Sequence, residues 1–297
     1  MDISFVIVSY NSVEPLKICL ESLFESIGND LDFEVIVVDN DSKDGSANFV
    51  KENYPEIKLI KNNGNLGYTK AMNQGLRHGK GRYLVQINPD VFVYPDTFQA
   101  LMDWMNEHQD VGICTPKILN QDATLQKQCR RSFARPVEVF AYFLKLDRIF
   151  PNHRIIGNYL KTYLIEDEIA QVEAVSGSCM MIRKDVLAQI GYLDERYFAY
   201  QEDTDFCFRA NQVGWKVFYL PFAKVMHQGG KGGSRTEPYK AILEWHRSYF
   251  LYYRKNLAKD YFFIVNWTMY LMIGLKLIFA LVGAFFSKEK IVGSKKP

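Results

Sequence analysis

The stretch ISFVIVSYNSVEPLKICLESLFESIGNDLDFEVIVVDNDS, residues 3–42, decides the fold. It opens on an apolar, β-branched run (3–9), passes through a helical pattern from Pro15 to Ser26, and returns to a second apolar run (33–39). Runs of this kind, with no polar alternation, read as strands buried on both faces. Both runs end abruptly in polar residues: Ser9-Tyr10-Asn11 after the first, Asp39-Asn40-Asp41-Ser42 after the second.

The rhythm continues outward. A helix is expected over 46–52, opened by Asp44-Gly45, then a strand over 57–62 and a helix from Tyr68 to His78 ended by Gly79-Lys80-Gly81. A fourth strand follows over 82–88, and Pro95 sits in the first turn of a further helix. Strand–helix alternation of this type predicts an α/β fold with a doubly wound, mainly parallel sheet. Between 120 and 170 the rhythm is lost. That span, rich in Arg, Phe and Tyr, predicts a partly helical insertion over the sheet. Beyond it the pattern predicts a strand pair near 171–182, helices from about Asp185 to Gln189 and Asp203 to Val213, and a strand over 215–221. The Gly-rich residues 228–235 are expected to be mobile.

The chain has 297 residues, 48% hydrophobic and 24% charged, which is ordinary for one large α/β domain with an appendage. A net charge of +2 speaks against nucleic acid as the partner. Five scattered cysteines, with no C-x-x-C pair, argue against a disulfide framework or a thiolate metal site. The N-terminus reads as a poor signal peptide.

In an open parallel sheet, ligands bind beyond the carboxyl ends of the strands. Four polar clusters fall at those ends: the two above, Asn62-Asn63-Gly64-Asn65-Leu66-Gly67 after the third strand, and Asn88-Pro89-Asp90 after the fourth. Together they suggest a crevice for a polar, anionic ligand. The first turn carries no G-x-G-x-x-G, and the chain has no Gly-Lys-Ser P-loop, which excludes the common dinucleotide and triphosphate sites. Asp39 is placed to accept from a ribose hydroxyl or a pyrimidine N–H, although turn and helix-cap chemistry explains Asp39–Ser42 as well. Asp90 suits a hard divalent cation that takes a diphosphate as another ligand, and an Asx turn is the plain alternative. Glu202, Asp203 and Asp205 crowd a helix start, where the dipole alone favours acids. They lie between FAY and FCF, so the crowding should raise at least one pKa. Arg130, Arg131 and Arg135 either line an acceptor site or are simply solvated.

VIVSYN, VVDNDSKDGS, NNGNLGYTKAMNQG and YLVQINPDV, in this order, resemble the nucleotide-sugar half of family 2 glycosyltransferases with the GT-A fold. The later stretch from GSCMMIRKDV to KVMHQGG agrees, so the likeness covers about residues 3 to 235. Within the family the chain looks like bacterial rhamnosyltransferases that use dTDP-L-rhamnose. The resemblance implies an inverting transferase dependent on Mg²⁺ or Mn²⁺. Ser9, Tyr10, Asn11, Asp39, Asn40, Asn65, Gly67, Asn88, Asp90 and Glu202 would bind the dTDP- or UDP-sugar. Asp90 and His227 would hold the metal, and Asp203 would be the catalytic base. The chain departs from the family's D-x-D motif, reading Asn88-Pro89-Asp90 with a single carboxylate. A nucleotidyltransferase would need a basic, Gly-rich first turn, which SYNSVEP lacks. A non-catalytic scaffold of a polysaccharide assembly complex is the other alternative.

Residues 236–297 form the expected C-terminal appendage. Tyr261 to Phe286 is almost wholly apolar and long enough, as a helix, to cross a bilayer core of about 30 Å. Arg254, Lys255 and Lys259 precede it, and Lys288, Lys290, Lys295 and Lys296 follow. Lys276 inside the run costs roughly 3 kcal/mol at a bilayer centre, so an in-plane or broken arrangement competes with a clean span. Trp245, Tyr249, Tyr252 and Tyr253 read either as an interfacial aromatic belt or as core. The expectation is a protein at the cytoplasmic face of the bacterial inner membrane, acting on a lipid-linked or oligosaccharide acceptor.

Overall fold

The computed structural model describes residues 1–28, 31–229 and 237–286. Residues 230–235 of the Gly-rich stretch, and Lys288, Lys290, Lys295 and Lys296, lie outside the described residues.

The expected alternation is present at the N-terminus: β1 (Ile3–Ser9), α1 (Val13–Ser26), β2 (Phe33–Asp39), α2 (Ser46–Asn53), β3 (Lys58–Lys61), α3 (Tyr68–His78) and β4 (Tyr83–Ile87). Strands β3, β2, β1 and β4 lie side by side and parallel, so their carboxyl ends share one edge. All seven residues of β1 are buried, as an uninterrupted apolar run requires.

A short β5 (Val91–Val93) leads to α4 (Thr97–Glu107) and then β6 (Val111–Leu119). The insertion holds the two-residue β7 (Arg130–Arg131), α5 (Pro136–Phe143) and α6 (Leu146–Ile149). The strand pair expected near 171–182 is instead three strands with separate partners. β8 (Ala170–Val172) pairs with the long β11 (Lys216–His227), β9 (Ala174–Val175) with β7, and β10 (Cys179–Arg183) with both β4 and β6. β10 runs antiparallel inside an otherwise parallel centre, which makes the nine-stranded sheet mixed. A strand buried on both faces reads the same in either direction, so its reversal left no mark on the pattern. α7 (Lys184–Ile190) and α8 (Glu202–Gln212) flank the sheet.

The C-terminal part holds α9 (Pro238–Tyr252), a π and 3₁₀ passage over 253–260, and α10 (Phe263–Phe286). It is joined to the sheet domain by a second apolar cluster, in which Ala134, Val139 and Tyr197 meet Tyr249, Tyr252, Tyr253, Met269 and Ile273. The three tyrosines are buried, so the core reading holds for them and the interfacial-belt reading does not. Lys255, one of the cations that precede the apolar run, turns inward to Asp194 (2.8 Å) and to the fully buried Asp205 (2.6 Å). Asp205 also accepts from Arg209, Asn256 and Tyr197, and so ties α8 to the C-terminal helices. α10 is one helix long and apolar enough to cross a membrane, with 11% of its most apolar window buried against the protein.

Candidate active site

At the end of β2, Asp39 is buried. One carboxylate oxygen accepts the Ser42 N–H (3.1 Å), and the other has no partner among the described residues. A buried, orphaned carboxylate oxygen is a costly feature that a ligand donor would relieve. Around it the loops cross-link. Asn40 donates to Asn65 Oδ1 (2.9 Å) and the Gly67 carbonyl (3.3 Å), and accepts from the Leu66 N–H (3.1 Å). Gly67 has φ of 88°, and a Cβ there would stand 2.6 Å from Phe198, so both conformation and space require glycine. Asn11 also holds left-handed backbone (φ 49°) and accepts from the Lys43 N–H (2.7 Å). Ser9 is fully buried, its hydroxyl 3.0 Å from that of Ser12, so its side chain supports the start of α1 behind the edge. The Tyr10 hydroxyl donates to Glu237 (3.1 Å).

β4 lies two strands from β2, about 10 Å away at the usual strand spacing. Past its end, Asp90 Oδ1 and His227 Nε2 are 3.1 Å apart. The contact joins residues 137 positions apart, because β5 pairs with the end of β11 and sets His227 opposite Val91. His227 Nδ1 lies 2.9 Å from Gln126 Oε1, and the Gln126 amide donates to Asn120 (3.3 Å). That network assigns the ring proton to Nδ1 and turns Nε2, an acceptor, toward a carboxylate oxygen. The Asn88 amide nitrogen also lies 3.4 Å from Nε2; two acceptors this close suit a shared proton or cation, and an outer hydrogen bond to Nδ1 is the usual support of a metal-ligating histidine. The pair fits a divalent cation. Among the described residues no group of three or more His, Cys, Asp or Glu forms a fuller metal site.

α8 brings the acids. Tyr200 (φ 69°) and Gln201 (φ 64°) hold consecutive left-handed backbone just before it, at about 1–2 kcal/mol each, strain of the kind concentrated at functional sites. The turn leads directly into Glu202 and Asp203, both buried. Asp203 accepts four hydrogen bonds: Oδ2 from Arg131 (2.7 Å) and the Gly177 N–H (2.9 Å), Oδ1 from the Thr204 N–H (2.6 Å) and hydroxyl (3.1 Å). Arg131 is therefore not a solvated residue but the partner of Asp203, whose carboxylate, after desolvation is set against it, holds the guanidinium pKa above its ordinary value. Arg130 instead donates to the carbonyls of Leu164 and Ile165, and Arg135 pairs with Glu173.

Glu202, among the crowded acids, is lifted. Burial first, and then the neighbouring Asp203, push its carboxyl up to about 8, and its Oε2 has no partner among the described residues. A raised carboxyl pKa means the folded chain keeps a proton that the unfolded chain loses, so the unfolded state binds fewer protons over the window from about 4.5 to about 8. Stability is full below that window and falls as pH rises through it. Glu202→Gln is expected to flatten this decline, checked by melting temperature against pH.

The acids on α8 and the β4 end meet at Tyr68. Its hydroxyl donates to Asn88 Oδ1 (3.2 Å) and the Gly177 carbonyl (3.3 Å). Desolvation, followed by Glu202, Asp203 and also Asp90, raises its pKa well above the ordinary value, so the one hydroxyl feels all three carboxylates. Tyr68, Gln126 and Gly177 were not singled out by the sequence. Gly177 stands in the quoted GSCMM stretch, and a Cβ there would fall 2.3 Å from Gln86.

The profile of Glycosyl transferase family 2 matches residues 4–191, most of this sheet domain. The chain belongs to that family. As a family 2 glycosyltransferase it is 26% identical over 288 residues to an N-acetylglucosaminyl-diphospho-decaprenol L-rhamnosyltransferase of Mycobacterium tuberculosis, covering 89% of this chain and 88% of that protein. It is also 26% identical to a low-salt glycan biosynthesis hexosyltransferase of Haloferax volcanii, over 82% of this chain and 73% of that one. Among solved structures, TarS of S. aureus with UDP-GlcNAc aligns at a TM-score of 0.61 and 16% identity, over 97% of this chain and 74% of that chain. The mannosyltransferase PcManGT of Pyrobaculum calidifontis with GDP-Man and Mn²⁺ aligns at 0.59 and 17%, over 97% of this chain and 76% of that chain. These likenesses carry the GT-A fold of this glycosyltransferase.

Proposed function

We propose that this glycosyltransferase moves L-rhamnose from dTDP-L-rhamnose, with inversion, onto a lipid-linked sugar acceptor at the cytoplasmic face of a membrane. The observation that carries the reading is the spacing along one edge. The orphaned Asp39 oxygen, the Asp90–His227 pair about two strand widths away, and Asp203 across the Tyr68 bridge follow the order of base, diphosphate and reacting sugar. Asp39, Asn40, Asn65 and Gly67 hold the nucleoside, with Tyr10 and Asn11 beside them. Asn88, Asp90 and Glu202 face the diphosphate and sugar. Asp90 and His227 would hold Mg²⁺ or Mn²⁺, and that ion supplies positive charge against the leaving diphosphate.

The acceptor hydroxyl attacks the anomeric carbon from the face opposite the diphosphate. A new C–O bond forms, the bond to the diphosphate breaks, and the diphosphate leaves with the electron pair. Asp203 takes the hydroxyl proton. Of its four hydrogen bonds, that from the Thr204 hydroxyl is the longest, and it is the one to yield to the acceptor. The decaprenol-linked substrate named for the mycobacterial relative supports the acceptor class, and the apolar α10 supports work at a membrane.

A titration with dTDP-L-rhamnose, UDP-GlcNAc and GDP-mannose, each with Mn²⁺, tests the donor. Tightest binding and transfer are expected with dTDP-L-rhamnose. Preference for a UDP-sugar would replace the sugar assignment and keep the reaction. Absence of binding by every nucleotide sugar would favour a non-catalytic scaffold.

A further inference from the structure

The seam between α5, α9 and α10 gathers polar groups that the reaction at Asp203 does not use. Lys276 stands on the face of α10 that carries Met269 and Ile273, at i, i+4 and i+7. Its ammonium lies 3.8 Å from the Trp245 ring centroid and 4.1 Å from that of Phe143. No carboxylate pairs with it among the described residues. Beside it, Tyr249 is 3% exposed with a hydroxyl that has no partner among the described residues. His246, 4% exposed and within electrostatic reach of Lys276, has an Nε2 with no partner among the described residues. A half-buried cation held against two ring faces, with no carboxylate partner among the described residues, is complementary to an anion rich in acceptor oxygens.

The surroundings say which anion. Phe140 on α5 and Phe279 on α10 are exposed at helical positions next to the seam, and the most apolar window of α10 is only 11% buried. The ligand should therefore carry an apolar chain. The seam is also lined by Tyr159, which lies within electrostatic reach of Arg131 and Asp203. A bulk membrane phospholipid has no use for that connection, whereas a lipid carrying the acceptor sugar does. The gap itself is only about 20 Å³, so the anion meets the seam at its rim.

We propose that Lys276, at the rim of the seam, binds the phosphate end of the lipid-linked acceptor and directs its sugar toward the side of Tyr159, Arg131 and Asp203. This rests on the lipid-linked reading above. The test uses the full chain in detergent with geranylgeranyl diphosphate, geranylgeraniol and phosphatidylglycerol as ligands. Saturable binding of the diphosphate, weakened about tenfold or more in Lys276→Met, with nucleotide binding equal to wild type as the control for folding, is the expected result. Equal diphosphate binding by wild type and Lys276→Met overturns the site, as does competition by geranylgeraniol or phosphatidylglycerol as strong as that of the diphosphate. A parallel transfer assay separates the two readings. Transfer to a polyprenyl-diphosphate-linked GlcNAc acceptor with an unchanged KM in Lys276→Met sinks the site and leaves the reading. Failure of the wild type to glycosylate any lipid-linked acceptor sinks both.

Discussion

Asp203→Asn is expected to lower kcat by about 10²–10⁴-fold, the range for removing a general base, while nucleotide-sugar affinity stays within about twofold of wild type. The amide keeps the shape of the carboxylate and loses its capacity to take a proton. It also turns one acceptor of Arg131 and the Gly177 N–H into a donor, so a modest loss of stability accompanies the loss of rate. Steady-state transfer kinetics and a nucleotide titration on the same preparation check both parts. Glu202→Gln is the informative comparison. Glu202 is one residue away and has a free oxygen, but its lifted pKa keeps it largely protonated near neutrality. If Glu202→Gln were the variant that loses most of the rate, the base would be misassigned.

Asp90→Ala is expected to cost about 10²-fold or more in kcat/KM, because stabilising charge on a leaving diphosphate is worth several kcal/mol. Chelation of the wild type should produce a loss of the same size, restored by Mn²⁺ or Mg²⁺. His227→Ala should cost less, since its ring reaches the site through one nitrogen steadied by Gln126. Metal titrations of the transfer rate distinguish these cases. Full transfer in the presence of chelator would mean that the single carboxylate of Asn88-Pro89-Asp90 marks a metal-independent enzyme, with the Asp90–His227 contact serving as a plain ion pair.

The edge proposed to bind the ligand was legible because local chemistry wrote it. Apolar runs that stop at Ser9, Asp39, Asn62 and Asn88 name four strand ends, and parallel winding puts them together. What the sequence hid depends on long-range pairing. Nothing near His227 says that β11 meets β5 antiparallel beside Asp90. Strand β6 was not read because Pro116 and Lys117 interrupt its apolar run, yet Lys117 lies in it with its ammonium on Asp167 (2.8 Å). Gln126 and Arg131 looked like ordinary loop residues, and their roles follow only from which carboxylate or ring folds against them. The tyrosines of α9 fit a membrane belt and a core equally well by composition. Only the packing of α9 against Tyr197 and α10 decides for the core.

One pocket, spanning Asp39, the Asp90–His227 pair and Asp203, is what the mechanism needs. A crystal structure with Mn²⁺ and a thymidine or uridine diphosphate tests it directly. The account predicts an anomalous manganese peak at Asp90 and His227, diphosphate oxygens completing its shell, and the base or ribose donating to the free Asp39 oxygen. Manganese bound elsewhere, or a nucleotide lying away from the β2–β1–β4 edge, would contradict it.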